Sequence, residues 1–303
     1  MNEIVVGTDG SELSLHAVGW AAREAVRHDQ ALRIVHALQP WLYETPPDSP
    51  HAPAGQLARK GASGLLADAA AHAHQEATTV QVSTELLAGD ARSALLDRAR
   101  KASMLIIGGR GVGGFAGLIL GSVAHAVAST AECPVVVVRG PVMNGARDVV
   151  VGVDDSPRSY PALEIAFAEA AVRRSTVRAV HAWRRPIWAP HRPPAPPSAR
   201  LGGPPTSEDA ARQLLTAAVA GWIARYPEVD VVEHLDEGHP ADVLVRASAD
   251  ADLVVVGRRG AGGFPGLRLG STSRGLLHHA LCPVMLVPGQ PGAWARHLRD
   301  HAA

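Results

Sequence analysis

The sequence IVVGTDGS at residues 4–11 decides the fold, because it returns 145 positions later as VVVGVDDS at residues 149–156. Each copy is a short apolar run that stops at a glycine and is followed by an aspartate and a serine. Such a run predicts a buried strand that leads into a turn. A repeat this long predicts two copies of one domain, since the units of solenoids repeat every ~20–50 residues.

The match continues along both halves of the 303-residue chain. RIVHA at residues 33–37 faces RAVHA at 178–182, and MLIIG at 104–108 faces LVVVG at 253–257. Helical patterns separate these apolar runs. Alternating strands and helices predict right-handed crossovers and a parallel sheet with helices on both faces, which is the α/β class.

The repeat sets the expected domain organisation. We expect one domain at residues 1–140, a second at 147–289 and a C-terminal tail at 290–303. A Pro-rich stretch from Arg184 to Pro205 holds the extra residues of the second copy. In the first helix, Leu15, Val18, Ala22 and Val26 lie at helical spacing and are expected to form its apolar face.

Composition excludes several classes of protein. The chain has 29 basic and 29 acidic residues, so no basic surface for nucleic acid is indicated. No apolar run approaches the ~20 residues that span a bilayer, and the N-terminus lacks the pattern of a secretion signal. Cys133 and Cys282 each precede a proline and an apolar run, which indicates buried, reduced thiols. We therefore expect a cytoplasmic protein that binds neither membranes nor nucleic acid.

A glycine-rich loop with the spacing G-x-x-G-x₉-G-S follows the fourth strand of each copy. Its members are Gly108, Gly111, Gly121 and Ser122 in the first copy and Gly257, Gly260, Gly270 and Ser271 in the second. Ligands of open α/β sheets bind at the carboxyl ends of strands, where glycine lets them approach the backbone. The last Gly-Ser pair opens a helix, whose N-terminus favours an anion. The loop therefore predicts a phosphate-binding site.

The glycines of this loop also have other interpretations. The glycines can serve only as turn residues, and Ser122 and Ser271 only as helix caps. A G-x-G-x-x-G dinucleotide motif at residues 109–114 is not repeated, because Arg258 replaces its first glycine. A Walker A loop is excluded because no G-K-[ST] occurs anywhere in the chain.

Asp9 and Asp154 follow the first strand of each copy and have two interpretations. Either each caps the next helix, or each faces a ligand. Pro157 suits a first helical position, which would make Ser156 the cap and leave Asp154 for a ligand. By equivalence, Ser11 would cap the first helix and leave Asp9 spare. Arg110 and Arg259 align in the glycine loops, where they either reach a phosphate or are solvated.

The V-G-x-D-x-S motif, the His-Ala pair, the glycine spacing and the C-P-V run together resemble the universal stress protein family, in the tandem form of its ATP-binding branch. The resemblance covers all but the Pro-rich stretch and the tail. It implies two tandem Rossmann-like (adenine nucleotide α-hydrolase-like) domains, each with a five-stranded parallel sheet, and a regulatory role.

The resemblance also implies ligand contacts. Asp9 and Asp154 would contact the adenosine, and Ala37 and Ala182 would meet adenine through their backbone. The loop glycines with Ser122 and Ser271 would hold ribose and phosphates, and Val123 and Thr272 would add backbone amides. The charge of bound ATP would call for Mg²⁺.

Three functional hypotheses follow. The preferred one is a non-catalytic, ATP-binding regulator or sensor in the stress response. Its alternative is an enzyme of related fold that hydrolyses ATP slowly or transfers adenylyl groups. A third is an interaction module that ignores nucleotide. We also expect the strands at 135–138 and 284–287 to pair and form an internal pseudo-dimer, with a homodimer of whole chains as a further option. The sequence identifies no stress signal and no regulatory protein partner.

Overall fold

The computed structural model describes residues 3–46, 48–111, 120–141, 148–184, 207–261 and 268–290. The first repeat contains five strands and five helices in these residues: β1 (Glu3–Gly7), α1 (Glu12–Arg27), β2 (Ala31–Leu38), α2 (Pro40–Tyr43), α3 (Ala52–Glu76), β3 (Val82–Ala88), α4 (Ala91–Ala99), β4 (Met104–Gly108), α5 (Ser122–Thr130) and β5 (Val135–Val138).

The second repeat follows the same order of strands and long helices: β6 (Asp148–Gly152), α6 (Tyr160–Arg173), β7 (Thr176–Trp183), α7 (Glu208–Arg225), β8 (Val231–Glu237), α8 (Pro240–Ala247), β9 (Ala251–Gly257), α9 (Ser271–His279) and β10 (Val284–Val287). A short 3₁₀ turn, Pro157–Ser159, precedes α6. The predicted α/β class with two Rossmann-like domains is confirmed. The Pro-rich stretch at 185–206 and the tail beyond residue 290 lie outside the described residues.

The protein divides into two compact units. The first comprises Met1–Asn144 with Cys282–Ala303, and the second comprises Gly145–Leu281. In the first, the parallel strands lie in the order β3-β2-β1-β4-β5. In the second, the parallel order is β9-β6-β7-β8. The order places β1 and β6 inside their sheets, so that the loops after these strands have a strand end on either side.

The last strand of the sequence, β10, belongs to the first compact unit. It pairs antiparallel with β5, with Met285 opposite Val136. All four residues of β5 and all four of β10 are buried, as expected for apolar strands that are covered on both faces. The predicted pairing of these strands is confirmed. The sequence repeat and the compact units therefore divide the chain at different places.

Helix α1 packs on the sheet through small residues. Ala17, Val18, Ala21 and Ala22 are buried, whereas Val26 is 43% exposed. The prediction that Val26 belongs to the apolar face was therefore wrong. The buried stripe runs through adjacent alanines, which a search for large apolar residues passes over. Both cysteines are buried thiols, as predicted. Among the described residues, no helix has the length and apolar content that crossing a membrane requires.

Candidate functional site

The loops that carry the predicted site residues meet at the carboxyl end of each sheet. In the first unit, Gly7 at the end of β1 lies between Val35 of β2 and Ile107 of β4. In the second, Val151 of β6 lies between Ala179 of β7 and Val255 of β9. Because these neighbouring strands are parallel, the loops that follow them leave the sheet side by side. We call this group of loop ends the cleft of each unit.

The Asp9 carboxylate is held by the residue that caps α1. Its Oδ1 accepts hydrogen bonds from the backbone N–H of Ser11 at 3.1 Å and from the Ser11 hydroxyl at 2.6 Å. The Ser11 Oγ in turn accepts from the N–H of Ser14, so Ser11 is the N-cap as predicted. Asp9 does not cap α1, as predicted, and one of its oxygens closes an Asx turn onto the capping serine.

The second copy reproduces the aspartate contact but not the cap. Oδ1 of Asp154 accepts from the Ser156 N–H at 3.1 Å and from the Ser156 hydroxyl at 2.6 Å. Ser156 is the N-cap residue of a 3₁₀ turn with Pro157 at its first position, as predicted, but it does not cap α6. Pro157 opens a 3₁₀ turn, and α6 starts only at Tyr160, so Ser156 precedes the turn and makes no side-chain capping bond.

The second glycine of each loop lies directly against the aspartate. A Cβ on Gly111 would overlap Oδ2 of Asp9, and a Cβ on Gly260 would overlap Oδ2 of Asp154. In the second cleft, this oxygen also accepts a 2.8 Å hydrogen bond from the N–H of Ala261. A side chain at either position would displace the aspartate carboxylate, and the two predicted parts of the site are brought together.

A histidine fixes the backbone just before each aspartate. Nδ1 of His36 donates to the carbonyl of Thr8 at 2.8 Å, and Nδ1 of His181 donates to the carbonyl of Val153 at 2.8 Å. His181 is only 4% exposed. Both histidines thus act as hydrogen-bonding residues at the end of a strand. Sequence reasoning missed that each one positions the aspartate loop, although the identical spacing in both copies was the available signal.

Ala37 and Ala182 direct backbone groups into the clefts. The carbonyl of Val35 accepts a hydrogen bond from the Thr8 N–H, and the carbonyl of Val180 accepts one from the Val153 N–H. These bonds lie at the ends of β2 and β7, on the side that faces β1 and β6. Alternate residues of a strand direct their backbone groups to the same side. The N–H and C=O of Ala37 and Ala182 therefore point past the ends of β1 and β6.

The far side of each cleft is a helix N-terminus. Gly121 precedes α5 and donates its N–H to the carbonyl of Gly109 at 2.8 Å, and Gly270 precedes α9 and donates to the carbonyl of Arg258 at 2.8 Å. Glycine is thus the N-cap residue in both helices. Ser122 and Ser271 are exposed first helical residues, so the alternative that they are caps was wrong.

The remaining predicted residues also lie at this end of the sheets. Val123 and Thr272 are the second residues of α5 and α9, where a helix leaves backbone N–H groups without intrahelical partners. Gly108 and Gly257 end β4 and β9. A Cβ on Gly108 would lie 3.0 Å from the carbonyl oxygen of Leu13, so packing against α1 already requires this glycine. The residues between the second and third loop glycines, 112–119 and 262–267, lie outside the described residues.

One further cation adjoins the first cleft. Arg139 follows β5 and is half-buried. Burial lowers the pKa of its guanidinium, and the positive charge of Arg110 lowers it further. An arginine remains charged despite such a shift, so two cations lie near each other beside the glycine loop.

Comparison with known proteins identifies the class of this α/β protein. The chain belongs to the universal stress protein family, which matches residues 1–139 and 145–288. It is 34% identical over 290 residues to a universal stress protein of Mycolicibacterium smegmatis, covering 94% of this chain and 96% of the relative. It is 36% identical over 312 residues to universal stress protein Rv1996 of Mycobacterium tuberculosis, covering 95% and 96%.

Solved structures agree on the fold. A universal stress protein from Archaeoglobus fulgidus aligns with a TM-score of 0.66 at 20% identity, covering 95% of this chain and 96% of that one. A protein from Pseudomonas aeruginosa, described as a universal stress protein, aligns with a TM-score of 0.60 at 16% identity, covering 100% and 98%. At these identities the likeness concerns the fold alone.

Proposed function

We propose that each repeat binds one molecule of ATP in its cleft, and that the protein is a nucleotide-dependent regulator or sensor in the stress response. The observation that carries the proposal is the contact between an aspartate carboxylate and a glycine that has no room for a Cβ, present in both clefts. Such a close approach brings an acceptor and a phosphate-binding loop to one place. Asp9 and Asp154 would contact the adenosine from there.

The other parts of each cleft suit the rest of the nucleotide. The backbone groups of Ala37 and Ala182 offer one donor and one acceptor, which an adenine edge can use. The N-termini of α5 and α9 offer backbone N–H groups and the positive end of a helix dipole, which favour phosphate. We assign Gly108, Gly111, Gly121, Ser122 and Val123, with Gly257, Gly260, Gly270, Ser271 and Thr272, to ribose and phosphates.

The donor set of each cleft suits Mg²⁺ through a small number of protein oxygens. Mg²⁺ usually keeps several waters and binds phosphate oxygens with one or two protein oxygens. The exposed hydroxyls of Ser122 and Ser271 supply such an oxygen at the phosphate end of each cleft. A bound Mg²⁺ would neutralise phosphate charge beside these helices.

The hydrogen bonds that the polar groups of the clefts already make favour a regulatory role over catalysis. The histidine nearest each aspartate uses Nδ1 to hold a backbone carbonyl, and each aspartate uses Oδ1 to hold a serine. These groups therefore shape the cleft, whereas a general base must be able to reach a reacting proton. Occupancy of the clefts would then be the signal, and cytoplasmic ATP its source.

The proposal is tested with the double variant G111A/G260A. The added methyl groups would displace the aspartates or the loops, so we expect the variant to lose ATP binding. Isothermal titration should detect no binding, and ATP should no longer raise the melting temperature. The matched control is G61A/G221A, because a Cβ at either helical glycine meets nothing within 4 Å. Circular dichroism should show the same fold for both variants. ATP affinity in G111A/G260A equal to that of the control would overturn the assignment of the clefts.

A further inference from the structure

Three matched positions near the glycine loop carry two arginines in either copy, but not at the same places. In the first copy Gly109 precedes Arg110 in the loop, and Arg139 follows β5. In the second copy Arg258 stands at the place of Gly109, Arg259 at that of Arg110, and Pro288 at that of Arg139. Each copy thus keeps two arginines, but only one of them is at the same position in both.

Packing in the first unit accounts for the absence of a side chain at position 109. A Cβ on Gly109 would lie 3.3 Å from Cγ of Arg139 and 3.6 Å from a methyl group of Val137. The aliphatic part of Arg139 therefore passes over Gly109, in the place where a side chain at position 109 would begin. An arginine at 109 and an arginine at 139 would compete for one volume. In the second copy the matching positions are Arg258 and Pro288, so that copy also has only one arginine at these two positions.

Each exchanged arginine lies beside the phosphate end of its cleft. The Gly109 carbonyl accepts from the Gly121 N–H, which joins this part of the loop to the N-terminus of α5. A Cβ on Gly121 would lie 3.5 Å from Cα of Arg110. In the second copy the backbone carbonyl of Arg258 accepts the hydrogen bond from the Gly270 N–H. A Cβ on Gly270 would lie 3.5 Å from Cα of Arg259. Arg139 and Arg258 are both half-buried, whereas Arg110 and Arg259 are exposed.

Two cations near a helix N-terminus form a site for a multiply charged anion. The lowered pKa of Arg139 reflects the cost of burying one cation near another, and a bound anion would offset that cost. A guanidinium binds phosphate through two parallel N–H donors, which gives both charge and geometry. A single phosphate at the helix N-terminus would not need two arginines.

We propose that Arg139 and Arg258 are equivalent phosphate-binding residues that, with Arg110 and Arg259, select nucleoside polyphosphates over monophosphates. This inference rests on the proposed function, since it assigns the outer phosphates of the same ligand. The half-buried arginine holds one phosphate against the loop. The exposed arginine closes over the next one.

The test is the variant R139A/R258A in the full chain, titrated with ATP, ADP, AMP and inorganic tripolyphosphate. We expect ATP and tripolyphosphate to bind roughly tenfold more weakly at each cleft, the effect of losing one charge-assisted hydrogen bond, and AMP to bind as in the unaltered protein. Unchanged AMP affinity also shows that the cleft is intact. The control R100A/R212A removes two exposed arginines that pair with Glu132 and Glu208.

The outcomes separate this inference from the proposed function. If the unaltered protein binds no nucleotide but binds tripolyphosphate in an Arg139- and Arg258-dependent way, the proposed function fails and the phosphate assignment stands. Equal losses for ATP and AMP would overturn the selection of polyphosphates. The inference itself would be overturned if R139A/R258A bound ATP and tripolyphosphate as tightly as the unaltered protein. It would also be overturned if the unaltered protein bound neither of them.

Discussion

In the first cleft the chain passes from Asp9 through Gly10 and Ser11 directly into α1, whereas in the second it passes from Asp154 through Asp155 and a 3₁₀ turn before α6 begins. Gly10 has a left-handed φ of +79°, and Asp155 does not have a positive φ. The hydrogen bonds from the serine to the aspartate nevertheless have the same lengths, 3.1 and 2.6 Å, in both clefts.

This comparison separates what the site requires from what the surrounding chain allows. The start of the helix, the residue after the aspartate and the positions of the arginines all differ between the copies. The aspartate, its serine and the glycine opposite it do not. Two copies in one molecule thus indicate which contacts carry the function, and variants that alter one copy at a time test that conclusion.

The largest effect is expected from the aspartates. D9A or D154A alone should weaken nucleotide binding roughly a hundredfold at the altered cleft, because the ligand loses a charged acceptor and the glycine loop loses its anchor. Isothermal titration should then fit one tight site per chain instead of two. D155A, which changes an exposed aspartate next to Asp154, is the control. If the D154A chain kept two tight sites, the conclusion that the aspartate carries nucleotide binding in each cleft would be contradicted.

A smaller effect is expected at the residue after the aspartate. G10A should destabilise the first unit by about 1–2 kcal/mol, because alanine is strained at a positive φ and its Cβ would lie 2.9 Å from Leu65. D155A should change stability by less than about 0.5 kcal/mol, since it is exposed and not in the left-handed region. Urea unfolding followed by circular dichroism measures both. Equal destabilisation by the two variants would show that the loops do not differ in this way.

Much of the fold could be predicted because it depends on local patterns that occur twice. Runs such as Val135–Val138 have no periodicity and suit only a strand covered on both faces, and the C-P-V repeat placed both cysteines in the core. The membership of β10 in the first compact unit could be foreseen only in part. A strand pairing was expected from its exposed apolar edge, but a sequence repeat gives no reason to divide the chain between Leu281 and Cys282.

The site could be predicted as a set of residues but not as a set of contacts. The spacing of the glycines gave their places in the loop, whereas the overlap of a Cβ on Gly111 with Asp9 depends on how two loops meet in space. The helix start at Tyr160 was missed because proline suits the first position of a 3₁₀ turn as well as that of an α-helix. The exchange of Arg139 for Arg258 becomes visible only when the stem of Arg139 is seen over Gly109.

The central claim is that both clefts bind adenine nucleotide. The most direct measurement is the number of adenine nucleotides bound per chain of the unaltered protein, determined by isothermal titration with Mg²⁺ and ATP and by release of co-purified nucleotide on denaturation. We expect two per chain. A protein that carries none after purification and binds none at millimolar ATP would contradict it.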